Sequence, residues 1–323
     1  MKKSAVVKIL LLAGGTVAGA GLVAGVIFLR GAGCNAEARY TNPYTGCVSS
    51  AISKSSYTPF RNELIGYLNE ERQNGRLAEA AVFFRDLNAG PTFGINELAN
   101  FSPASLLKIP MALAYLRYEE ENPGILETRI RYTKNGEVLE QEFAPSKSIQ
   151  KNETYTVEEV LFHMIAYSDN VSYSVLADYM KQLPEGETFV FQAYRELGII
   201  DPTNASREVV SVHGYASIFR LLYNVSYLES DLSEKMLAWL AASDFNQGIV
   251  AGVPEGTVVA HKFGERSFMD ADMKQLHDCG IVYYPRNPYV LCVMTQGNTM
   301  DGLTDIIGNV SQMTYEEIDS RKL

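Results

Sequence analysis

Apolar residues change their spacing several times along the chain, and each change marks a different kind of element. From Ile9 to Leu29 they run almost without a break. Phe60, Leu64, Tyr67 and Leu68 then recur at intervals that place them on one face of a helix, which Gly75 ends. Residues 80–87 and 92–98 are short apolar runs split by the turn residues Asn88-Ala89-Gly90-Pro91, a pair of predicted strands. A wide apolar face spans 106–121 and stops before Asn122-Pro123-Gly124. Thr156-Val157-Glu158-Glu159 opens a further helix with a capping box. More helical segments are predicted at 171–182, 188–197, 212–228 and 233–242. Strands return at 257–263, 276–284 and 289–296, the last two joined by Pro285-Arg286-Asn287-Pro288, and a final helix covers 303–318. Strands, then helices, then strands again exclude a regular βαβ repeat. The order predicts an α/β protein of the α+β type. Its mostly antiparallel sheet is built from both chain ends and flanked by helices, with an all-helical subdomain inserted between. A cleft is expected where the two parts meet.

The first apolar run divides the chain further. Lys2, Lys3 and Lys8 precede it and Arg30 closes it. It matches the roughly 20 residues that cross a bilayer and exceeds the roughly 7–15 of a secretory signal core. An uncleaved anchor is therefore favoured over a signal cut near Ala18-Gly19-Ala20. The lysines before the span place the main domain outside the cytoplasm, at the cell surface or in the periplasm, or secreted if the segment is cut. Residues 1–33 are read as anchor or signal, 34–57 as a polar stalk, and 58–323 as the main domain. That domain starts where Thr58 can cap a helix that has Pro59 at its first position.

Composition adds little beyond exclusions. Of 323 residues, 46% are hydrophobic and 20% charged, an ordinary globular balance. The net charge is -10 and no basic run occurs, which argues against a nucleic-acid partner. The four histidines, His163, His213, His261 and His277, show no metal-binding spacing, so no metal and no cofactor are expected. Cys34, Cys47, Cys279 and Cys292 include no C-x-x-C. Their most local pairing is Cys34–Cys47 and Cys279–Cys292; the alternative for the last two is a pair of buried small apolar residues. The oligomeric state is not legible.

Three short motifs carry chemistry. Ser105-Leu106-Leu107-Lys108 stands at a helix start, where backbone N–H groups favour developing negative charge. Lys108 lies one turn beyond Ser105 on the same face, so its amine can take the serine proton or stabilise the alkoxide. Ser168-Asp169-Asn170 follows a helix: a hydroxyl to relay a proton, an amide to bind a substrate amide. His261-Lys262-Phe263-Gly264 closes the predicted edge strand 257–263. Lys262 can tune the Ser168 hydroxyl or anchor an anion. Gly264 admits close backbone approach, and the N–H of Glu265 can pair with that of Ser105 as an oxyanion hole.

Each motif alone is common. Their order, spacing and contexts together resemble the serine β-lactamase-like family, of the class A β-lactamase and penicillin-binding type. The resemblance runs from about Thr58 to Ile318. It includes Phe101-Ser102-Pro103-Ala104 before the nucleophile and Met164-Ile165-Ala166-Tyr167 before Ser168. The segments Val259-Ala260-His261-Lys262 and His277-Asp278-Cys279-Gly280-Ile281-Val282 resemble the family's last strands. It implies a serine hydrolase with Ser105 as acylated nucleophile, Lys108 as its activating partner, and Ser168 and Lys262 as the proton-relay side. Asn170, Phe263, Gly264 and Glu265 fall at substrate-binding positions.

Two departures qualify the expected activity. The family places Thr or Ser after the third-motif Lys, where its hydroxyl contacts the substrate carboxylate; here the residue is Phe263. Class A β-lactamases also carry a Glu in an E-x-x-L-N setting that activates the deacylating water. That sequence is missing, and Glu185, Glu187, Glu196 and Glu208 are the glutamates between Ser168 and Ser211. The first expectation is a hydrolase acylated by a β-lactam or related amide. The second is a penicillin-binding or D-alanyl-D-alanine peptidase-like enzyme acting on peptidoglycan stem peptides. The third is a non-catalytic binding domain on the same fold.

Overall fold

The computed structural model describes residues 39–41, 57–88, 92–133, 141–201, 204–268 and 272–321, without the side chains of 200–201 and 204–208. The expected anchor, most of the stalk, and Cys34 and Cys47 lie outside the described residues. Among those described, no helix is long and apolar enough to cross a membrane.

A five-stranded antiparallel sheet forms the frame. Its strands are β1 (Glu79–Asp86), β2 (Thr92–Ile95), β7 (Val259–Phe268), β8 (Met273–Val282) and β9 (Tyr289–Gly297), in the spatial order β2-β1-β9-β8-β7. As predicted, both chain ends supply it, and β1 pairs with β9 from Glu79 opposite Gln296 to Asp86 opposite Tyr289. Strand alternation explains why these runs are apolar throughout. Ala81 and Phe83 of β1 enter one core, while Ala80, Val82 and Phe84 enter another on the opposite face. Helices α1 (Thr58–Gln73) and α8 (Met300–Arg321) cover the second face through Phe60, Leu64, Leu303 and Ile307. Cys279 and Cys292 stand directly opposite in the β8–β9 ladder, buried and joined by a disulfide.

The inserted subdomain packs on the first face. It holds α2 (Lys108–Glu121), α3 (Val157–Ala166), α4 (Asn170–Met180), α5 (Gly186–Glu196), α6 (Val212–Tyr223) and α7 (Ser230–Ala241). It is not entirely helical. β3 (Arg129–Arg131) pairs with β4 (Thr154–Thr156), and β5 (Ile200–Asp201) with β6 (Asn204–Glu208). Elements of two to five residues leave no period to read.

Several boundaries also differ from the sequence expectation. Thr58 is the first residue of α1 rather than its cap; Tyr57 holds that place without a side-chain bond. β7 runs on to Phe268, so Lys262 lies inside the edge strand and not at its end. The capping box of α3 forms as read: Thr156 Oγ1 accepts the Glu159 amide at 3.1 Å, and Glu159 accepts the Thr156 amide at 2.6 Å. Thr156→Ala should lower unfolding free energy by about 1 kcal/mol. Urea denaturation checks this, and an unchanged midpoint would remove the cap from the helix's stability.

Candidate active site

The turn that carries Ser105 is a 3₁₀ segment, Ala104–Leu107, which passes directly into α2. Ala104 has φ of 47°, in the left-handed region, which costs a non-glycine residue on the order of 1 kcal/mol. Contacts from several distant elements hold the turn in place. The Tyr215 hydroxyl on α6 donates to the Leu106 carbonyl at 2.8 Å. His277 Nε2 on β8 lies 3.1 Å from the Ser102 carbonyl, and burial lowers its pKa to about 4, so the neutral ring donates from Nε2. Gln275 Oε1 accepts the Ser102 amide at 3.2 Å. Phe101 bridges to Val210.

Gly264 sets the approach of β7. A Cβ there would lie 3.0 Å from Leu106 Cγ and 3.1 Å from both the Leu106 nitrogen and the Pro103 oxygen. A side chain there would be tight enough to force the edge strand and the serine turn apart by a few tenths of an ångström.

Ser168 ends the turn after α3 in the left-handed region (φ 53°). Asp169 caps α4, accepting the Val171 amide at 3.0 Å and the Ser172 amide at 3.2 Å. The same carboxylate accepts the Ser148 hydroxyl and the Ile149 amide. An acidic residue directly before an apolar-periodic segment is a cap signal, and Asp169 carries it.

These turns and β7 bring five predicted residues together. Lys108 Nζ lies 3.0 Å from Ser105 Oγ, 3.1 Å from Ser168 Oγ, 2.5 Å from the Ser168 carbonyl and 2.7 Å from Asn170 Oδ1. Lys262 Nζ lies 2.8 Å from Ser168 Oγ on its other side. Both lysines are buried. Burial lowers the Lys108 pKa from 10.5 to about 7, against an opposing pull from Asp169 and Glu265. Burial, then the nearby Lys108 charge, holds Lys262 well below its ordinary value.

This geometry decides what Lys108 can do. A neutral amine has two N–H bonds and one lone pair. The Ser168 carbonyl and Asn170 Oδ1 accept and cannot donate, so they take both N–H bonds. The lone pair is then left to a hydroxyl, and Ser105 presents one.

The third motif divides by strand alternation. Lys262 and Gly264 face the Ser105 turn, whereas Phe263 enters the core on the other face of the sheet. The Phe263 ring stacks on Phe245 with centroids 4.0 Å apart and meets Phe143 edge-on at 5.9 Å. Glu265 Oε1 accepts the Phe143 amide at 3.1 Å, and burial raises the Glu265 pKa. Gln141 Nε2 donates to the Ser168 carbonyl at 3.3 Å. The segment at 141–149 thus borders both halves of the site, a role its sequence does not signal.

The four candidate deacylating carboxylates are not brought to Ser105 by any described contact. Glu185, Glu187 and Glu196 are exposed at or on α5, and Glu196 accepts the Tyr227 hydroxyl at 3.1 Å. The side chain of Glu208 lies outside those described. Among the described residues, no group of His, Cys, Asp and Glu could hold a metal ion.

A family model described as the beta-lactamase enzyme family matches residues 64–318. The chain belongs to the β-lactamase family. In this family it resembles the extended-spectrum beta-lactamase PER-1 of Pseudomonas aeruginosa, 22% identical over 241 residues, covering 69% of this chain and 77% of that one. Among solved structures, PBP-A superposes with a TM-score of 0.66 at 20% identity, over 84% of this chain and 100% of that one. The class A beta-lactamase from Mycobacterium abscessus gives 0.64 at 24%, over 80% and 98%. At these identities the structures establish a shared class A β-lactamase fold.

Within this family member, labelling of Ser105 by a fluorophosphonate should follow the neutral fraction of Lys108. The rate should rise with pH through about 7 and fall about tenfold per unit below it. A rate independent of pH across that range would remove Lys108 as the proton acceptor. Gly264→Ala should push β7 off the serine turn, slowing labelling by about tenfold or more and costing about 1–3 kcal/mol. Stopped-flow labelling read beside thermal unfolding tests this, and normal labelling in the folded variant would exclude the role of close approach.

Proposed function

We propose that this chain is a serine acyl-transfer enzyme that forms an acyl-enzyme at Ser105. The observation that supports this best is a buried amine, 3.0 Å from Ser105 Oγ, with a pKa near 7. Ser105 Oγ attacks the carbonyl carbon of a β-lactam or related amide while its proton passes to Lys108 Nζ. The Ser105 and Glu265 amides stabilise the oxyanion. Ser168, held between Lys108 and Lys262, hands a proton to the leaving nitrogen as the C–N bond breaks and takes its replacement from Lys108, which returns to the neutral amine. Water then cleaves the ester, returning the acid and the free serine.

Acylation is better provided for than hydrolysis. Of the two carboxylates that act on Lys108, Asp169 is committed to four backbone and side-chain donors besides Ser172 Oγ, and Glu265 accepts the Phe143 amide and makes no described hydrogen bond to Ser105 or Lys108. This favours, as a second reading, a penicillin-binding or D-alanyl peptidase-like enzyme acting on peptidoglycan stem peptides, anchored by residues 1–33 outside the cytoplasm. A PBP-A variant of the same fold has been seen as an acyl-enzyme complex with penicillin G (TM-score 0.65, 20% identity).

Intact-mass spectrometry with penicillin G should show one adduct on the wild-type chain and none on Ser105→Ala. The adduct should decay about 10²–10⁴-fold more slowly than in an enzyme with a positioned base. Equal labelling of Ser105→Ala would refute the nucleophile, and rapid turnover would exclude the peptidase-like reading.

A further inference from the structure

Residues 141–149 form no helix or strand, yet ties to both cores and to both sides of the site hold them in place. Phe143 packs against the core of the second sheet face, and Ile149 is buried in that of the first. Glu142 pairs with Lys274 on β8 and accepts the Ser267 hydroxyl of β7 at 3.1 Å. The Phe143 amide donates to Glu265 at 3.1 Å, and the Ser146 amide to Asp244 at 3.0 Å. Ties this dense keep an irregular segment from opening locally.

The remaining ties end on oxygens that Lys108 also depends on. Gln141 Nε2 donates at 3.3 Å to the Ser168 carbonyl, which accepts Lys108 Nζ as well. Ser148 Oγ and the Ile149 amide donate at 2.9 and 3.3 Å to Asp169, whose charge favours the ammonium form of Lys108. An oxygen that already accepts one hydrogen bond offers less negative potential to its other neighbours. An ammonium gains more from that potential than a neutral amine does, so each of these donors eases the proton off Lys108. Other charges reach the amine from β7, where Glu265 favours its charged form and Lys262 opposes it. Asp244 and Asp278 act in turn on Lys262. Within the segment itself, Glu142 is paired with Lys274, and Lys147 Nζ sits 5.4 Å from the Tyr167 ring centroid.

We propose that residues 141–149 are a strap that draws negative potential away from Lys108 and so keeps that amine free to accept the Ser105 proton, with Gln141 and Ser148 as positioning residues. This rests on the acyl-transfer reading only for what the amine does with the proton, and the test separates the two.

Fluorophosphonate labelling of the full chain, followed across pH by intact mass, tests the strap. In Gln141→Leu and in Ser148→Ala the midpoint of the labelling profile should move up from about 7. A rise of about half a unit slows labelling about threefold on the acid side and leaves the alkaline plateau unchanged. The double variant should move further, and Ser148→Thr, which keeps the hydroxyl, should match the wild type. Either single variant decides once thermal unfolding shows it folded. A segment that only holds the fold together would slow labelling equally at every pH. That result, or midpoints that stay or fall, overturns the proposal. Lysine Cε chemical shifts, followed by NMR in Ser105→Ala, give the Lys108 titration without acylation. Adding Gln141→Leu should raise that titration, and an unmoved one overturns the strap. If it rises while no probe labels Ser105 in the wild-type chain, the acyl-transfer reading falls and the strap stands.

Discussion

Two buried amines share one hydroxyl, and the rest of the site follows from that. Lys108 and Lys262 each reach Ser168 Oγ within about a hydrogen-bond length. Out of water, two ammonium ions so close repel strongly, so at least one loses its proton near neutral pH. The cluster therefore keeps a basic nitrogen next to Ser105 without any histidine or carboxylate as base. The protons belong to the pair and to Ser168 between them, so titration of this site is a shared property of three residues.

Such a cluster survives only if its surroundings are rigid and well bonded. Asp169 ties the Ser168 turn to α4 and to the segment at 148–149, and it supplies the negative charge that limits the drop in the Lys108 pKa. On the opposite side, the Ser105 turn is pinned by neutral His277, Gln275 and Tyr215. His261 and Asp278 form a buried pair at 2.8 Å, and Asp278 also accepts the Ile249 amide. That pair steadies β7 one residue before Lys262. Left-handed backbone at Ala104 and Ser168 shows the same economy: local strain is accepted at the two hydroxyl-bearing turns and offset by these ties.

Sequence spacing made the centre of the site legible. Ser105 and Lys108 are related by one helical turn, and the other two motifs are short and sit at element boundaries. The frame was legible too, because β1 and β9 are buried on both faces and their apolar runs are unbroken. Legibility stopped where residues face solvent or meet across long distances. β7 looked finished at Phe263 because Glu265, Arg266 and Ser267 are polar, yet on an edge strand they are partly or fully exposed and still paired with β8. α8 begins before the predicted 303, its first turn held by Thr299 Oγ1 through the Gly302 amide at 3.2 Å. The absent hydroxyl at Phe263 was plain in the sequence. That Phe245, from the loop after α7, would stack on it was not, because nothing local specifies a partner 18 residues away.

The central strand of the sheet is the last one made. β9 lies between β1 and β8, so β1 has only the four-residue β2 beside it until the chain has been synthesised past Gly297. A two-stranded ribbon of that size is barely stable by itself. A chain that emerges from its N-terminus onward thus keeps its first strands exposed, and the Ser105 turn without its β8 supports, for most of its synthesis. Folding is deferred to the end by connectivity alone. For a polypeptide that must be threaded through a narrow channel, that delay is an advantage. For one left waiting in a crowded compartment, the same unpaired strand is the point at which aggregation starts.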